Sequence, residues 1–213
     1  MSYLRYNKIP DNFDFEFNII ILGYSYVGKS CVVRRYLHDS FSKEHILVLG
    51  IYGESKFIEI NNKIVKINIY DKPNTSERYS PIPKKFFKRI EGAIIVYHIS
   101  DFFYCGNMFD DVQKSIEEIK SNADLDTQII IFQNKCDLDD FKKEFEIEEK
   151  VKKLANELGI KHFVVSAKTG YNINEGFNSL VNVMINRFKD PNGEYIKLKN
   201  GDDKNKKGKK KCA

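Results

Sequence analysis

The chain has 213 residues, 42% of them hydrophobic, which is long enough for one globular domain with a sizeable core and a tail. Its net charge of +5 lies mainly in residues 197–213, which hold eight lysines and two aspartates, so the remaining 196 residues sum to −1. A near-neutral body argues against nucleic-acid binding by the folded part, and no apolar stretch approaches the roughly 20 residues that a transmembrane helix needs.

Apolar runs and helical patterns alternate from residue 17 onward. The run FNIIIL at 17–22 predicts a buried strand, and GKSCVVRRYL after it predicts the first turns of a helix. Residues 56–71 alternate apolar and polar side chains on both sides of Asn61-Asn62, which predicts a hairpin with a tight turn. The later elements are the strand EGAIIVYHIS, the helix MFDDVQKSIEEIKSNA, the strand TQIIIFQNK, the helix EEKVKKLANELG ending at Gly159, the strand KHFVVSAK and the helix NEGFNSLVNVMINRF.

Strands that alternate with helices indicate an α/β fold, with a mostly parallel sheet covered on both faces and one antiparallel strand at an edge. We expect one domain over residues 15–188, preceded by an N-terminal extension at 1–14. After about Phe188 the sequence is polar and of low complexity, which predicts a disordered basic tail at 189–213.

Four cysteines are spread along the chain without the paired spacing of a zinc site or a disulfide framework. We expect Cys31, Cys105 and Cys136 to be small buried side chains in a reducing, cytosolic compartment. The polar start of the chain has no apolar signal-peptide centre, which agrees with an intracellular protein.

The segment GYSYVGKS at 23–30 matches the phosphate-binding pattern G-x-x-x-x-G-K-[ST] and lies between a predicted strand and a predicted helix. In such a loop, successive backbone N–H groups and the helix N-terminus converge on the phosphates. We expect Lys29 to reach the β- and γ-phosphates and the Ser30 hydroxyl to bind Mg²⁺. The candidate phosphate-binding residues are Gly23, Ser25, Tyr26, Val27, Gly28, Lys29, Ser30 and Cys31.

Two short segments at the ends of later strands predict which base is bound. NKCD at 134–137 follows the strand TQIIIFQ, at the carboxyl end where α/β sheets bind ligands. The Asp137 carboxylate can accept hydrogen bonds from the N1–H and exocyclic amine of guanine, a pattern that adenine does not offer. SAK at 166–168 can present a backbone N–H to the guanine O6. The candidate base-binding residues are Asn134, Lys135, Asp137, Ser166, Ala167 and Lys168.

In these motifs and their order the chain resembles the Ras superfamily of small GTPases, most closely the Rab branch, over roughly residues 15–188. The stretches GYSYVGKSCVVRRY, ERYSPIPKKFFKRIEGAIIVYHISD, NKCDL and FVVSAKTGYNINEGF carry the resemblance. It implies a P-loop domain with six strands and five helices, which binds GTP or GDP with Mg²⁺ and acts as a monomer through exchange-factor and effector proteins. It also implies that Phe41 packs against the guanine, that Lys135 lies along its face and that Asn134 ties the base loop to the phosphate loop.

The two segments that sense the γ-phosphate in that family differ here. Val48 replaces a threonine that binds Mg²⁺, and a valine offers no oxygen. Asp71 remains and can hold Mg²⁺ through water, while Asn74 replaces a glycine whose N–H meets the γ-phosphate. Thr75 or Ser76 stands in the place of the glutamine that orients the attacking water, and their hydroxyls are short for that role. No catalytic residue is therefore assigned.

Two further residues bear on the chemistry of this loop region. Tyr26 stands where the family usually has glycine, and its ring either covers the phosphates, where it would obstruct an arginine finger, or points away as a surface side chain. His98, within VYHIS, is expected to be a core or strand-end histidine rather than an alternative base.

The chain ends in Cys212-Ala213, which is neither a C-a-a-X box nor a double cysteine. A lipid on Cys212 would add the second signal that a lysine-rich tail needs for stable attachment to an anionic membrane. The alternative is a tail that aids solubility or nuclear import.

Two functions remain open from the sequence. The first is a Rab-like regulator of vesicle traffic at the cytosolic face of an endomembrane, with weak or absent GTP hydrolysis. The second is a pseudo-GTPase that serves as a protein-binding scaffold, which Val48 and the segment DKPNTSE favour. A metabolic nucleotide kinase fits less well, because such an enzyme needs no guanine-specific NKxD and SAK pair.

Overall fold

The computed structural model describes residues 10, 12–42, 52–71, 84–99, 107–124, 126–138 and 145–187. The strands in that part of the chain are β1 (Phe15–Leu22), β2 (Tyr52–Ile60), β3 (Lys63–Asp71), β4 (Gly92–Tyr97), β5 (Gln128–Gln133) and β6 (Lys161–Val164). The helices are α1 (Lys29–His38), α2 (Lys84–Phe87), α3 (Met108–Asn122), α4 (Phe145–Glu157) and α5 (Ile173–Arg187).

The six strands form one sheet in the order β2-β3-β1-β4-β5-β6. β2 runs antiparallel to β3, and every other neighbouring pair is parallel. The predicted α/β fold with one antiparallel edge strand is therefore confirmed. So is the count of six strands and five helices in the described residues, although α2 has only four residues.

β1 begins earlier than the sequence predicts. Its first residue is Phe15, two positions before the apolar run, because Phe15 and Phe17 are buried while Glu16 between them is exposed. Glu16 lies on the opposite face of the sheet and pairs with Lys66 of β3 at 2.7 Å. A strand start that is buried on one face alone lacks the continuous apolar run that marked the rest of the strand.

The turn between β2 and β3 has the predicted form. Asn61 and Asn62 have φ angles of 50° and 59°, the left-handed pair that a two-residue hairpin turn requires. The antiparallel pairing then runs from Ile60 opposite Lys63 to Tyr52 opposite Asp71. The hairpin is confirmed, and its first strand begins four residues before the predicted range.

The sheet is covered on both faces, as the pattern of buried residues along β1 shows. One core cluster joins Ile19 of β1 to Phe177 of α5, and Val32 of α1 belongs to the same cluster. The other joins Ile20 of β1 to Val112 of α3. Because successive residues of a strand point to opposite faces, one continuous apolar strand supplies both clusters.

All five parallel strands have their carboxyl ends at one edge of the sheet, which is where α/β folds bind ligands. The segment after β1, the last residue of β3 and the segments after β4, β5 and β6 therefore meet there. Among the described residues, no helix has both the length and the apolar character that a bilayer crossing requires.

Candidate functional site

The loop between β1 and α1 has the backbone geometry that the predicted anion site requires at the start of α1. Gly28 precedes the helix with φ at 93°, and the first helical bond runs from the Val32 N–H to the Gly28 carbonyl at 2.9 Å. The N-cap residue is this glycine, which has no side chain to cap the N–H groups of the first helical turn. Such a helix start attracts phosphate through its N–H groups and its partial positive charge.

Lys29 lies across the loop rather than extending into solvent. Its side chain is buried, and its Nζ donates a hydrogen bond of 2.8 Å to the Tyr24 carbonyl oxygen. A buried ammonium group needs partners for its three N–H donors. The loop carbonyl supplies one and orients the charge within the loop where the phosphates are expected.

Ser30 and Asp71 come together from α1 and the end of β3. The Ser30 Oγ donates a hydrogen bond to the Asp71 Oδ2, and the Asp71 side chain is 7% exposed. The Asp71 Oδ1 is buried without a hydrogen-bond partner among the described residues. Burial raises the pKa of Asp71 above its usual range, and the Ser30 hydrogen bond and nearby Lys29 only partly oppose that effect.

A carboxylate oxygen buried without a partner, next to a serine hydroxyl, fits a hydrated divalent cation. Mg²⁺ prefers oxygen ligands and retains several waters, so Ser30 could bind it directly and Asp71 through water. The residues present therefore fit the ion that the sequence predicts.

Asn134 joins the phosphate loop to both base-binding segments. Its side chain is 2% exposed, and its Nδ2 donates to the Val27 carbonyl oxygen at 2.9 Å. Its Oδ1 accepts a hydrogen bond from the Ala167 N–H at 3.0 Å. One amide thus connects three loops, as the family resemblance implies for this position.

Asp137 is held in place by Ser166. The Ser166 Oγ donates to the Asp137 Oδ1 at 2.5 Å and accepts from the Thr169 N–H at 3.1 Å. The other carboxylate oxygen of Asp137 lies 3.5 Å from the Lys168 Nζ. The carboxylate is therefore oriented before any ligand is present, which favours selective recognition of a base with two adjacent donors.

Lys135 and Cys31 lie in the base-binding segment after β5 and in the first turn of α1, respectively. Lys135 has φ at 69°, and burial lowers its pKa, while Cys31 and Asp137 raise it in part. The Cys31 Sγ lies 3.8 Å from the Ser42 carbonyl oxygen. Phe41 is partly buried and packs against the first core cluster.

The prediction of buried cysteines is wrong for Cys31 and Cys136, which are both partly exposed. Cys31 lies in the first turn of α1 and packs against the first core cluster, and Cys136 lies in the segment after β5, so both are at the carboxyl edge of the sheet, where burial is incomplete. Burial still raises the pKa of both thiols. Cys105 lies outside the described residues.

Tyr26 and His98 have different environments. Tyr26 has φ at 64° and is 66% exposed, so the side chain that replaces glycine lies on the surface of the loop. His98 is 6% exposed at the end of β4, in agreement with a strand-end core histidine, and burial followed by the charge of Lys135 lowers its pKa to about 4. Val48, Asn74, Thr75, Ser76 and Cys212 lie outside the described residues.

Two cavities bear on where the site lies. One of about 170 Å³ borders the phosphate loop, between Tyr24, Lys29 and the α3 residues Asp111 and Lys114. A larger one of about 750 Å³ lies between α4, β6 and α5, and none of the predicted site residues lines it. Convergent polar groups fix the orientation of a bound ligand, and the predicted site residues supply such groups away from the larger cavity.

Sequence reasoning missed Arg35 of α1. Its Nε donates to the Ala167 carbonyl oxygen at 2.8 Å, and its Nη2 donates to the Lys168 carbonyl oxygen at 2.7 Å. These partners lie more than 130 positions away in the chain, so no local pattern around Arg35 indicates the contact.

Comparisons with known proteins agree with this geometry. A sequence model of the Ras family matches residues 18–186. The Ras-related protein Rab-13 of Mesocricetus auratus is 33% identical over 168 residues, which cover 79% of this chain and 79% of that protein. The Ras-related protein Rab-3A of Homo sapiens is 32% identical over 186 residues, covering 87% and 81%. The Ras-related protein Rab-10 of Diplobatis ommata is 29% identical over 188 residues, covering 87% and 90%.

Proposed function

The chain belongs to the Ras family, and from that premise we propose that it is a Rab-like guanine-nucleotide-binding regulator of vesicle traffic with weak or absent GTP hydrolysis. The observation that carries the proposal is the Asn134 amide, which bonds the Val27 carbonyl of the phosphate loop and the Ala167 N–H of the base segment. A bound nucleotide would span these two segments, so the two hydrogen bonds of one side chain would couple the phosphate contacts to the base contacts.

Each part of the bound nucleotide has residues suited to it. The N–H groups at the start of α1 and the Lys29 ammonium group suit the phosphates. The Asp137 carboxylate, oriented by Ser166, suits the N1–H and amine of guanine. Ser30 and Asp71 would hold Mg²⁺, which supplies positive charge against the phosphate oxygens when it is bound.

The weak hydrolysis is inferred from the sequence of two segments. Val48 has no oxygen for the metal, and Thr75 or Ser76 replaces the glutamine that orients the attacking water. Orientation of that water, together with charge stabilisation, supplies most of the rate in this reaction class. The same substitutions favour a second candidate, a pseudo-GTPase that holds nucleotide permanently or not at all and acts as a binding scaffold.

The location and partners follow from the same proposal. The lysine-rich residues 197–211 suit the anionic cytosolic face of an endomembrane, and a lipid on Cys212 would add a second attachment signal. We expect the protein to act as a monomer on effector and exchange-factor proteins through residues 40–54 and the region after Glu77.

The test has two steps. The purified protein is first denatured and the released nucleotide identified, and we expect GDP or GTP in about equal molar amount to the wild-type chain and none with Lys29→Ala. Single-turnover hydrolysis of preloaded GTP with Mg²⁺ follows, and we expect a rate well below the roughly 4 × 10⁻⁴ s⁻¹ of an intrinsic small GTPase.

The outcomes separate the candidates. A rate at or above that value, absent from Lys29→Ala, would exclude the pseudo-GTPase and identify Thr75 and Ser76 as the first residues to test. GTP that is retained but not hydrolysed leaves a binding module, whose control then lies in exchange, partners or membrane attachment. A chain that retains no guanine nucleotide would contradict the proposed function and leave the scaffold.

A further inference from the structure

Four hydrogen bonds hold the Arg35 guanidinium between the end of α1 and the segment after β6. Its Nε and Nη2 bond the carbonyl oxygens of Ala167 and Lys168, and its Nη1 bonds the Asp39 carbonyl at 3.0 Å and the Asp39 Oδ1 at 2.9 Å. The Arg35 side chain is 15% exposed. A planar fork with bonds on three sides holds its partners in one orientation better than a single flexible amine does.

The contact with Ala167 sets the direction of the next backbone donor. The Ala167 carbonyl and the Lys168 N–H belong to one planar peptide unit, and no cis peptide occurs among the described residues. In a trans unit the carbonyl and the N–H point in opposite directions. Because the carbonyl faces Arg35, the Lys168 N–H faces away from α1.

The Lys168 N–H is the backbone donor of residues 166–168 that remains available for a ligand. The Ala167 N–H already bonds the Asn134 Oδ1, whereas the Lys168 N–H makes no hydrogen bond within the described part of the chain. A positive charge on the carbonyl also polarises the peptide and strengthens its N–H as a donor.

We propose that Arg35 is a positioning residue for guanine selectivity, which holds the peptide between Ala167 and Lys168 so that the Lys168 N–H meets the O6 of the base. Guanine carries an acceptor at this position, and an amino group there would oppose the N–H with a second donor. This inference rests on the proposed function, because it names how that site tells one purine from another.

The test compares two ligands in four proteins. The ligands are GDP and the diphosphate of 2-aminopurine riboside, which lacks O6. The analogue also lacks the N1–H, but that loss is the same in every protein and cancels when each variant is compared with wild type. The proteins are wild type, Arg35→Met, Arg35→Lys and the matched control Arg34→Met, which removes the same charge one position earlier on the helix.

We expect Arg35→Met to raise the Kd for GDP by about tenfold and to change the Kd for the analogue by less than about threefold, because the lost contact involves O6 alone. Arg35→Lys retains the charge without the fork and should give an intermediate loss of GDP preference. Arg34→Met should leave both constants at their wild-type values.

Three results would overturn the inference. If either Arg35 variant weakens both ligands by the same factor, Arg35 has a general structural role, and a matching fall in Tm would show it. If neither variant changes the GDP preference, the Lys168 N–H does not depend on Arg35. If wild type binds GDP no better than the analogue, the guanine selectivity of the proposed function fails as well.

Discussion

The Asn134 Nδ2 donates a 2.9 Å hydrogen bond to the carbonyl oxygen of Val27, across 107 positions of the sequence. Asn134→Ala removes this bond and also the acceptor of the Ala167 N–H, so two buried backbone groups lose their partner. Each such group costs about 1–3 kcal/mol. We therefore expect GDP binding to weaken by at least about tenfold, measured as an increased dissociation rate of a fluorescent GDP analogue.

Asn156→Ala is the control for this change, since Asn156 is an exposed residue of α4 and the same atoms are removed there. GDP should dissociate from it at the wild-type rate. An unchanged rate in Asn134→Ala would mean that the loops keep their positions without the amide.

Position 28 requires glycine for two reasons, its positive φ angle and the lack of space for a Cβ atom. A Cβ at this position would lie 2.5 Å from the Asn134 Nδ2, and φ is 93°. Gly159 has φ at 66°, and a Cβ there would have no atom within 4 Å, so it shares the strain and lacks the contact. Both alanine variants should lose about 1–2 kcal/mol of unfolding free energy. Only Gly28→Ala should also lose GDP binding, as measured by nucleotide retention after gel filtration.

The Gly28 prediction would be contradicted in either of two ways. If Gly28→Ala retains nucleotide as wild type does, then Asn134 yields to the extra carbon without releasing the loop. If Gly159→Ala also loses nucleotide, the loss follows from global destabilisation and not from the site.

The pair formed by Ser30 and Asp71 predicts a dependence on Mg²⁺. Chelation of the metal should accelerate GDP release from wild type by about tenfold or more, the equivalent of one lost charge-assisted contact of roughly 1.5 kcal/mol. Asp71→Asn and Ser30→Ala should release GDP quickly with or without the chelator. A chelator effect of wild-type size in both variants would show that neither residue holds the metal.

Asp71 offers a second readout that needs no nucleotide. Burial raises its pKa, so the folded chain binds more protons than the unfolded chain between the unfolded and folded pKa values of this group. Stability is therefore lost as the pH rises through that window, and above it the full cost of the buried charge remains. At pH 7, without nucleotide or metal, Asp71→Asn should have a higher Tm than wild type. A lower Tm would mean that the charge stabilises the empty site.

The sequence predicts most of the sheet because each central strand is buried on both faces and so appears as a continuous apolar run. It misplaces the start of β1, where Glu16 interrupts the run. It also wrongly buries Cys31 and Cys136, because residue type alone cannot show that a position lies at the edge of the sheet, where burial is incomplete. Val48, Asn74 and the two hydroxyl residues after it stay predictions.

The sequence likewise predicts some residues of the candidate site and misses others. Asn134 and Asp137 are predictable because a short motif specifies both, and the motif sits at a strand end. Arg35 is not predictable, because its role depends on which carbonyls the fold brings to α1. The buried polar cluster behind the base segment is likewise invisible in the sequence, since Tyr97, Gln133 and Glu148 come from three separate elements.

That cluster predicts a stability effect. The Tyr97 hydroxyl donates to the Gln133 Oε1 at 3.0 Å and lies 2.9 Å from the His162 Nε2. Tyr97→Phe leaves the buried Gln133 and the half-buried His162 without this hydroxyl, so we expect a loss of about 1–3 kcal/mol in urea unfolding. Tyr171→Phe, at an exposed tyrosine, should cost less than about 0.5 kcal/mol. Equal costs would mean that water replaces the Tyr97 hydroxyl.

The buried His98 and the half-buried His162 predict how stability depends on pH. Burial is the largest cause that lowers the pKa of His98 and His162 to about 4, and the charges of Lys135 and Lys152 respectively act in the same direction. Glu148, which pairs with Lys152 at 2.5 Å, opposes the shift at His162 only in part. Both imidazoles are therefore neutral in the folded chain at pH 7.

An unfolded histidine titrates near pH 6.5, so between about pH 6.5 and 4 the unfolded chain binds more protons than the folded chain. The contribution of the two histidines to the free energy of unfolding should be fully present above this window. It should fall as the pH decreases through the window, by at most about 1.4 kcal/mol per pH unit for each histidine. Urea unfolding at fixed, saturating GDP between pH 7.5 and 5 measures the slope. His162→Gln keeps a polar side chain that does not titrate, and it should reduce the slope by the share of one histidine. A free energy of unfolding that stays constant over this range would show that both imidazoles accept protons without unfolding.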